Sequence, residues 1–399
     1  MELRVGGVVE AIMRTLPTLV LLSLAACHKP PATFSDALLT DVATEVEAST
    51  PRAILEEAAA STDPTPRARA VHWLLRSEPD DAWLTVARFD ASPWVQLAAV
   101  DALATRADPD AASLRPFVEQ DEGDPMVRLA AALALPGPDE AAREASSAAW
   151  RASSSPWDRA PLALAAHVHG DEEAAAPLLA AVATGELPLD LRLVRALADE
   201  GPPGMSDALR QAQSHAPEEL AVALAAAQLA LGDDQGEAPL RDAMSDDAAQ
   251  RMEGLDALMW IDHPAVEGLI RRARQGASPL VTWHADLLLA ARRGSDSQRF
   301  SDAMQADDPE VRRLAIQLAS YALTRSSDSR RAAKDARRAL LDGLTDGDAA
   351  VRGAAARAVG ELQVPESEAA LEALLVDESP AVRLEAAGAL TALLSPPRP

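Results

Sequence analysis

Apolar residues in this chain recur with the period of a helix, in short blocks that open on an acidic residue or Ser followed by Pro. Four blocks are nearly the same: DPMVRLAAALAL at Asp124–Leu135, DDPEVRRLAIQLA at Asp307–Ala319, DAAVRGAAARAV at Asp348–Val359 and ESPAVRLEAAGAL at Glu378–Leu390. Three, four, seven and eight positions beyond Val127 stand Ala130, Ala131, Ala134 and Leu135. Beyond Val311 stand Leu314, Ala315, Leu318 and Ala319, and beyond Val382 stand Glu385, Ala386, Ala389 and Leu390. Glu385 apart, each set lines one helical face. The oxygen-bearing residue ahead of the block is a helix cap, and Pro suits the first turn.

The blocks are spaced regularly. Taking Val127 as reference, equivalent positions fall at Ala68, Val95, Asp158, Leu191, Glu219, Gln250, Val281, Val311, Val351 and Val382, mostly about 31 residues apart. The middle copies, Asp158 to Gln250, lack the Val-Arg pair and are placed by spacing, Pro and apolar pattern. A second helical pattern precedes each block, as in Glu173–Ala183, Pro264–Arg274, Ala333–Leu344 and Ser367–Val376. The unit is helix, turn, helix. Such a unit cannot bury its apolar face alone, so stacking is required.

This pattern resembles the HEAT repeat, in particular the shorter bacterial form also found in phycobilisome-lyase-like proteins, over roughly residues 37 to 395. The resemblance implies an all-α fold, a right-handed α-solenoid of about eleven hairpins with the Val-Arg helices on the concave side. It also implies that Arg128, Arg312, Arg352 and Arg383 pair with acidic residues of a neighbouring turn, such as Asp124, Asp308 and Asp348, in a structural ladder.

Composition agrees with thin stacked helices: 48% of residues are hydrophobic but only 3% aromatic, so the core is built from Ala and Leu. A net charge of −25 argues against nucleic acid as a partner, because phosphate binding needs clustered Lys and Arg.

At the N-terminus, the apolar run Leu16–Ala26 follows Arg14 and ends in Leu24-Ala25-Ala26-Cys27. It is shorter than the ~20 residues needed to span a bilayer and reads as a signal peptide. Leu-Ala-Ala-Cys is similar to the bacterial lipobox. That resemblance implies cleavage before Cys27, acylation of Cys27 and attachment to a bacterial envelope membrane, with His28 rather than Asp next to it favouring the outer membrane facing the periplasm. The expected division is signal peptide 1–26, lipidated Cys27 and tether 27–36, and solenoid 37–399. Cys27 is the only cysteine, so neither a disulfide nor a cysteine metal cluster forms within the chain. Glu10 sits oddly within a leader, and Met13 offers an alternative start.

No catalytic set is recognisable. There is no Gly-x-Ser-x-Gly elbow, HExxH, CxxC or EF-hand spacing, and His167 and His169 diverge on a helix. The chain is therefore expected to be neither an enzyme nor a metal or cofactor carrier. The expected partner is another protein, and the alternative is a lyase-like or other enzyme-accessory role. Candidate contact residues are Trp73, Val100 and Ile316, each five positions beyond a reference residue, together with Trp94. They form either an exposed patch or filling for an Ala-thin core. The step from Val311 to Val351 is 40 residues and carries Arg330, Arg331, Lys334, Arg337 and Arg338. It is either a basic binding loop or a longer first helix.

Overall fold

The computed structural model describes residues 50–77, 80–106, 111–120, 123–185, 191–215, 220–244, 247–293, 298–325 and 330–395. The expected signal peptide and tether, Cys27 and the first residues of the expected solenoid, 37–49, lie outside these. The described residues form helices and no strand. The array is all-α and solenoid-like, with eleven consecutive helix pairs among the described residues.

The pairs belong to two compact units. The first unit combines the described residues up to Arg106 with those from Gln298 onward. It holds α1 (Pro51–Ala59), α2 (Pro64–Ser77), α3 (Asp81–Arg88) and α4 (Pro93–Ala104). From the other end of the chain come α17 (Gln298–Ala303), α18 (Pro309–Arg325), α19 (Arg330–Gly343), α20 (Ala349–Glu361), α21 (Glu368–Leu374) and α22 (Pro380–Leu394). The second unit runs to Arg293. It begins with α5 (Ala111–Val118), α6 (Pro125–Ala134), α7 (Glu140–Ala152), α8 (Pro156–Val168), α9 (Ala175–Ala183) and α10 (Leu191–Glu200). It continues through α11 (Met205–Gln213), α12 (Ala221–Ala230), α13 (Glu237–Ala243), α14 (Ala248–Leu258), α15 (Val266–Ala273) and α16 (Pro279–Arg293).

The helix starts follow from the sequence. Asp124 Oδ1 accepts from the amides of Met126 and Val127, and Asp348 Oδ1 from those of Ala350 and Val351. In both cases the carboxylate satisfies amides that have no partner within the helix. The 40-residue step lengthens the helices on either side of it: α18, which closes one pair, has 17 residues, and α19, which opens the next, has 14, so the longer-helix alternative accounts for those extra positions. The side chains of Arg330 and Arg331 lie outside what the structure describes.

The two helices of a pair differ in burial. In α15 the buried residues are Val266, Leu269, Ile270 and Ala273, one face only. In α4 every residue from Val95 to Ala104 is buried, and in α12 every residue from Val222 to Leu229. α12 is covered by its own partner α11 and by the second helices α10 and α14 on either side, which leaves Val222–Leu229 no free face, whereas α14 buries only Gly254, Leu255 and Leu258. Val100 and Ile316 are core residues, each 1% exposed, and not the contact residues expected.

One buried group makes the second unit acid-sensitive. His284 on α16 is fully enclosed, and neither ring nitrogen finds a hydrogen bond among the described residues. The nearest acid, Asp256 Oδ1, stands 3.5 Å from Nε2. Burial pushes the imidazole from 6.5 down to about 3. The ring is therefore neutral in the folded chain and takes a proton on unfolding. Its contribution is complete above about pH 6.5 and is lost as pH falls, by roughly 2 kcal/mol at pH 5. His284→Leu should flatten the fall in Tm between pH 7.5 and 5, and an unchanged slope would refute the assignment.

Candidate functional site

Two ladders of arginine and aspartate occupy the motif residues. In the first unit Arg312 donates Nε and Nη2 to Asp346 at 2.7 and 2.9 Å, and Arg352 does the same to Asp377 at 2.8 and 2.9 Å. Each guanidinium also reaches back to two turn carbonyls: Arg312 to Ala306 and Asp307, and Arg352 to Asp346 and Gly347. Arg383 keeps the two carbonyl bonds, to Asp377 and Glu378. Burial alone would raise Asp346 and Asp377, but the hydrogen bonds and charge of their arginines hold both below the usual carboxylate range. The acid partner therefore belongs to the turn ahead of the next block. Asp308 and Asp348, expected as partners, instead cap their own helices, as does Asp124. Arg128 is buried and donates to the Ala145 carbonyl.

Arg67 repeats the same geometry, bonding Asp90 at 2.8 Å and the carbonyls of Ser61 and Thr62. This corrects the register of the first copy. Its reference residue is Pro66, within Asp63-Pro64-Thr65-Pro66-Arg67, and not Ala68. Trp73 accordingly stands seven positions along, on the packed face.

The second ladder was not foreseen, and it serves the second unit. Asp139, Asp171 and Asp233 open first helices or the short turns that lead into them. They accept from Arg115 at 2.7 Å, Arg151 at 3.0 Å and Arg210 at 2.5 Å, each arginine lying on the preceding first helix. The hydroxyls of Ser147 and Ser206 add bonds to Asp171 and Asp233. Bonds from Ser206 and Arg210 bring Asp233 down to about 2. A signal was present: Gly170-Asp171 and Gly232-Asp233 place a left-handed residue (φ +97° and +79°) ahead of the acid. His169 is a structural joint. Its Nδ1 accepts from the Asp139 amide at 3.0 Å and its Nε2 donates to the Ala132 carbonyl at 2.9 Å, so neither nitrogen is left for a metal. No cluster of metal-ligating residues occurs among the described residues.

Within the first unit the early and late hairpins close on each other. Trp73, 1% exposed, sits in a notch floored by Gly360 and Gly388, where a Cβ on Gly388 would come within 2.1 Å of the indole. Glu385 on α22 accepts from Trp73 Nε1 at 3.0 Å, Arg69 at 2.7 Å and Arg357 at 2.6 Å. Arg76 donates to the Glu361 carbonyl at 2.7 Å. Trp73 is thus a seam residue and not part of an exposed patch.

What remains exposed and apolar lies elsewhere. Trp94 is 53% exposed and Trp157 51%, each in a Ser-Pro-Trp triplet at a helix start, Ser92-Pro93-Trp94 on α4 and Ser155-Pro156-Trp157 on α8. Phe89, at the end of α3, is also exposed. In the second unit, α7, α8 and α9 enclose a cleft of about 300 Å³. Trp150 of α7 forms one wall, Pro156, Arg159 and Ala163 of α8 another, and Pro177, Ala180 and Ala181 of α9 the third.

Known proteins resemble the chain in part. Residues 337–398 match the family model of HEAT repeats. This segment covers the second half of α19 through α22, including Arg352, Asp377 and Arg383. The crystal structure of an engineered protein from the Northeast Structural Genomics Consortium aligns at 18% identity over 86% of this chain and 99% of its own, with a TM-score of 0.26. No curated protein matches the chain.

Proposed function

We propose that this protein is a non-catalytic binding scaffold whose HEAT-type hairpins present a surface to another protein, held at a bacterial envelope membrane by lipid on Cys27. The observation that carries the scaffold reading is the pair of half-exposed tryptophans at equivalent helix starts, Trp94 and Trp157. An Ala-rich array has few large side chains, and two of its seven tryptophans that stay about half exposed offer apolar surface for a partner to cover. The ladder arginines support the same reading by exclusion, since their donors are taken up by turn carbonyls and aspartates and serve the stack.

The anchor part of the proposal rests on the lipobox-like Leu-Ala-Ala-Cys. No helix among the described residues is long and apolar enough to cross a membrane, so attachment would come from acyl chains. An assembly or adaptor role follows from a surface without chemistry of its own.

Quantitative cross-linking in the native envelope tests the scaffold. Trp94→Ser and Trp157→Ser should each lower the yield of one defined cross-linked product several-fold while leaving Tm within about 0.5 kcal/mol of wild type in stability terms. Products insensitive to both substitutions would refute it. Palmitate labelling lost in Cys27→Ser tests the anchor separately.

A further inference from the structure

We propose that the cleft between α7, α8 and α9 receives an acidic peptide segment, seating one apolar side chain against Trp150 and the neighbouring carboxylate on Arg159. This rests on the scaffold reading and names the chemistry of the partner.

The cleft exists because the residues facing one another across it are small. Ala163 on α8 meets Ala180 and Ala181 on α9, where a Leu from either side would close the space. The wall opposite is the Trp150 indole. Its N–H already points to Asp171 Oδ2 at 3.3 Å and the Arg151 guanidinium lies 4.9 Å from the ring centroid, so a ligand meets only the apolar edge of the indole left open to the cleft. Asp171 is tied down by Ser147, Arg151 and the Glu173 amide, and Arg151 is shared with Glu173, so Arg159 is the cleft-lining cation left to meet an anion. The volume of about 300 Å³ suits one or two side chains, not a helix.

Arg159 gives the cleft its sign. Its guanidinium is exposed on the wall and has no hydrogen-bond or ion-pair partner among the described residues. Its neighbour Arg151, by contrast, is bonded to both Asp171 and Glu173. In a chain of net charge −25, an arginine with no partner among the described residues, set beside an apolar cleft, favours an anion that carries an apolar group. One cation is too few for a nucleic-acid backbone. The Thr184 hydroxyl is turned back on the carbonyls of Ala180 and Ala181, so a neutral polar ligand finds little to bond.

The carboxylate could be a peptide C-terminus or an Asp or Glu side chain, and three probes separate these. They are N-acetyl-leucine, its neutral amide, and N-acetyl-leucyl-aspartyl amide. Binding is followed by ¹⁹F NMR of the full chain labelled with 5-fluorotryptophan, with the Trp150 signal assigned through Trp150→Phe. Millimolar binding is expected of fragments this small. At least one carboxylate probe should bind about fivefold more tightly than the amide, equivalent to about 1 kcal/mol. Arg159→Gln, at an exposed position, should abolish that preference without lowering Tm. Ala181→Trp should block every probe. Preference for N-acetyl-leucine marks a chain terminus, and preference for N-acetyl-leucyl-aspartyl amide marks a side-chain carboxylate. A Trp150 signal unmoved by any probe, or a preference that survives Arg159→Gln, overturns the proposal. Either result leaves the Trp94 and Trp157 cross-linking outcome standing, so the two readings fail separately.

Discussion

Trp73→Ala should destabilise the first unit by about 4 kcal/mol, the largest single effect expected in this protein. The substitution empties a fully enclosed indole site and removes one of the three donors to Glu385. It also acts on a seam that the chain cannot close locally, because Trp73 and Glu385 lie 312 residues apart. Hydrogen exchange should therefore speed up together in α2 and α22, while α18 keeps its protection. The notch supplies a stricter test. Gly388→Leu is expected to be severe by itself, since its Cβ would fall 2.1 Å from Trp73 Cγ and the indole is held on every side. In the double variant Trp73→Ala/Gly388→Leu, the new side chain can enter the space the indole vacated. Its cost should fall short of the two single costs added together by at least about 1 kcal/mol. Strict additivity, or a Trp73→Ala chain within about 0.5 kcal/mol of wild type, would show that the indole does not fill this notch.

The same residue shows how far the sequence could be read. The repeat period was legible because the second helix of most pairs opens on a Pro, and because spacing carries through copies that lost the Val-Arg pair. It slipped by two residues at the first copy. There Pro66 occupies the Val position of Asp63-Pro64-Thr65-Pro66-Arg67, and an apolar-face count is drawn to Ala68. That slip turned Trp73 outward on paper. Val100 and Ile316 failed for another reason: five positions along is a free face only where no neighbouring helix covers that side, and both residues are covered. Glu385 was visible as the one charge on an otherwise apolar face. Its meaning was not, because the three donors come from helices far apart in the chain. Likewise the cleft on α7–α9 is made by side chains that are missing, and a run of alanines reads the same whether a neighbour fills the gap or leaves it open. The second ladder left local marks at Gly170-Asp171 and Gly232-Asp233. Only stacking brings the arginines of α7 and α11 to those carboxylates.

Asp377→Ala should cost about 3 kcal/mol, and Asp348→Ala about 1 kcal/mol, although both acids stand in the same kind of Asp-rich turn. The difference follows from what each carboxylate holds. Asp348 accepts two backbone amides at the start of α20 and is a cap. Asp377 accepts two bonds from Arg352 and one from the Ser379 amide, and the side chains of both Asp377 and Arg352 are nearly enclosed. Without Asp377 the guanidinium keeps the carbonyls of Asp346 and Gly347 but has no enclosed counter-charge, since Glu378 is exposed and 3.6 Å away. Asp377→Asn should fall between the two, keeping one acceptor while losing the charge. The pH dependence has a definite sign. Asp377 is held below its ordinary value in the folded chain, so its contribution is present above about pH 4 and is lost as pH falls further. The asparagine variant should therefore lose less stability than wild type on going from pH 5 to 3, by urea denaturation. If Asp348→Ala proves the more damaging substitution, the pairing of each ladder arginine with the acid of its own helix start is restored, and the ladder described for the first unit is wrong.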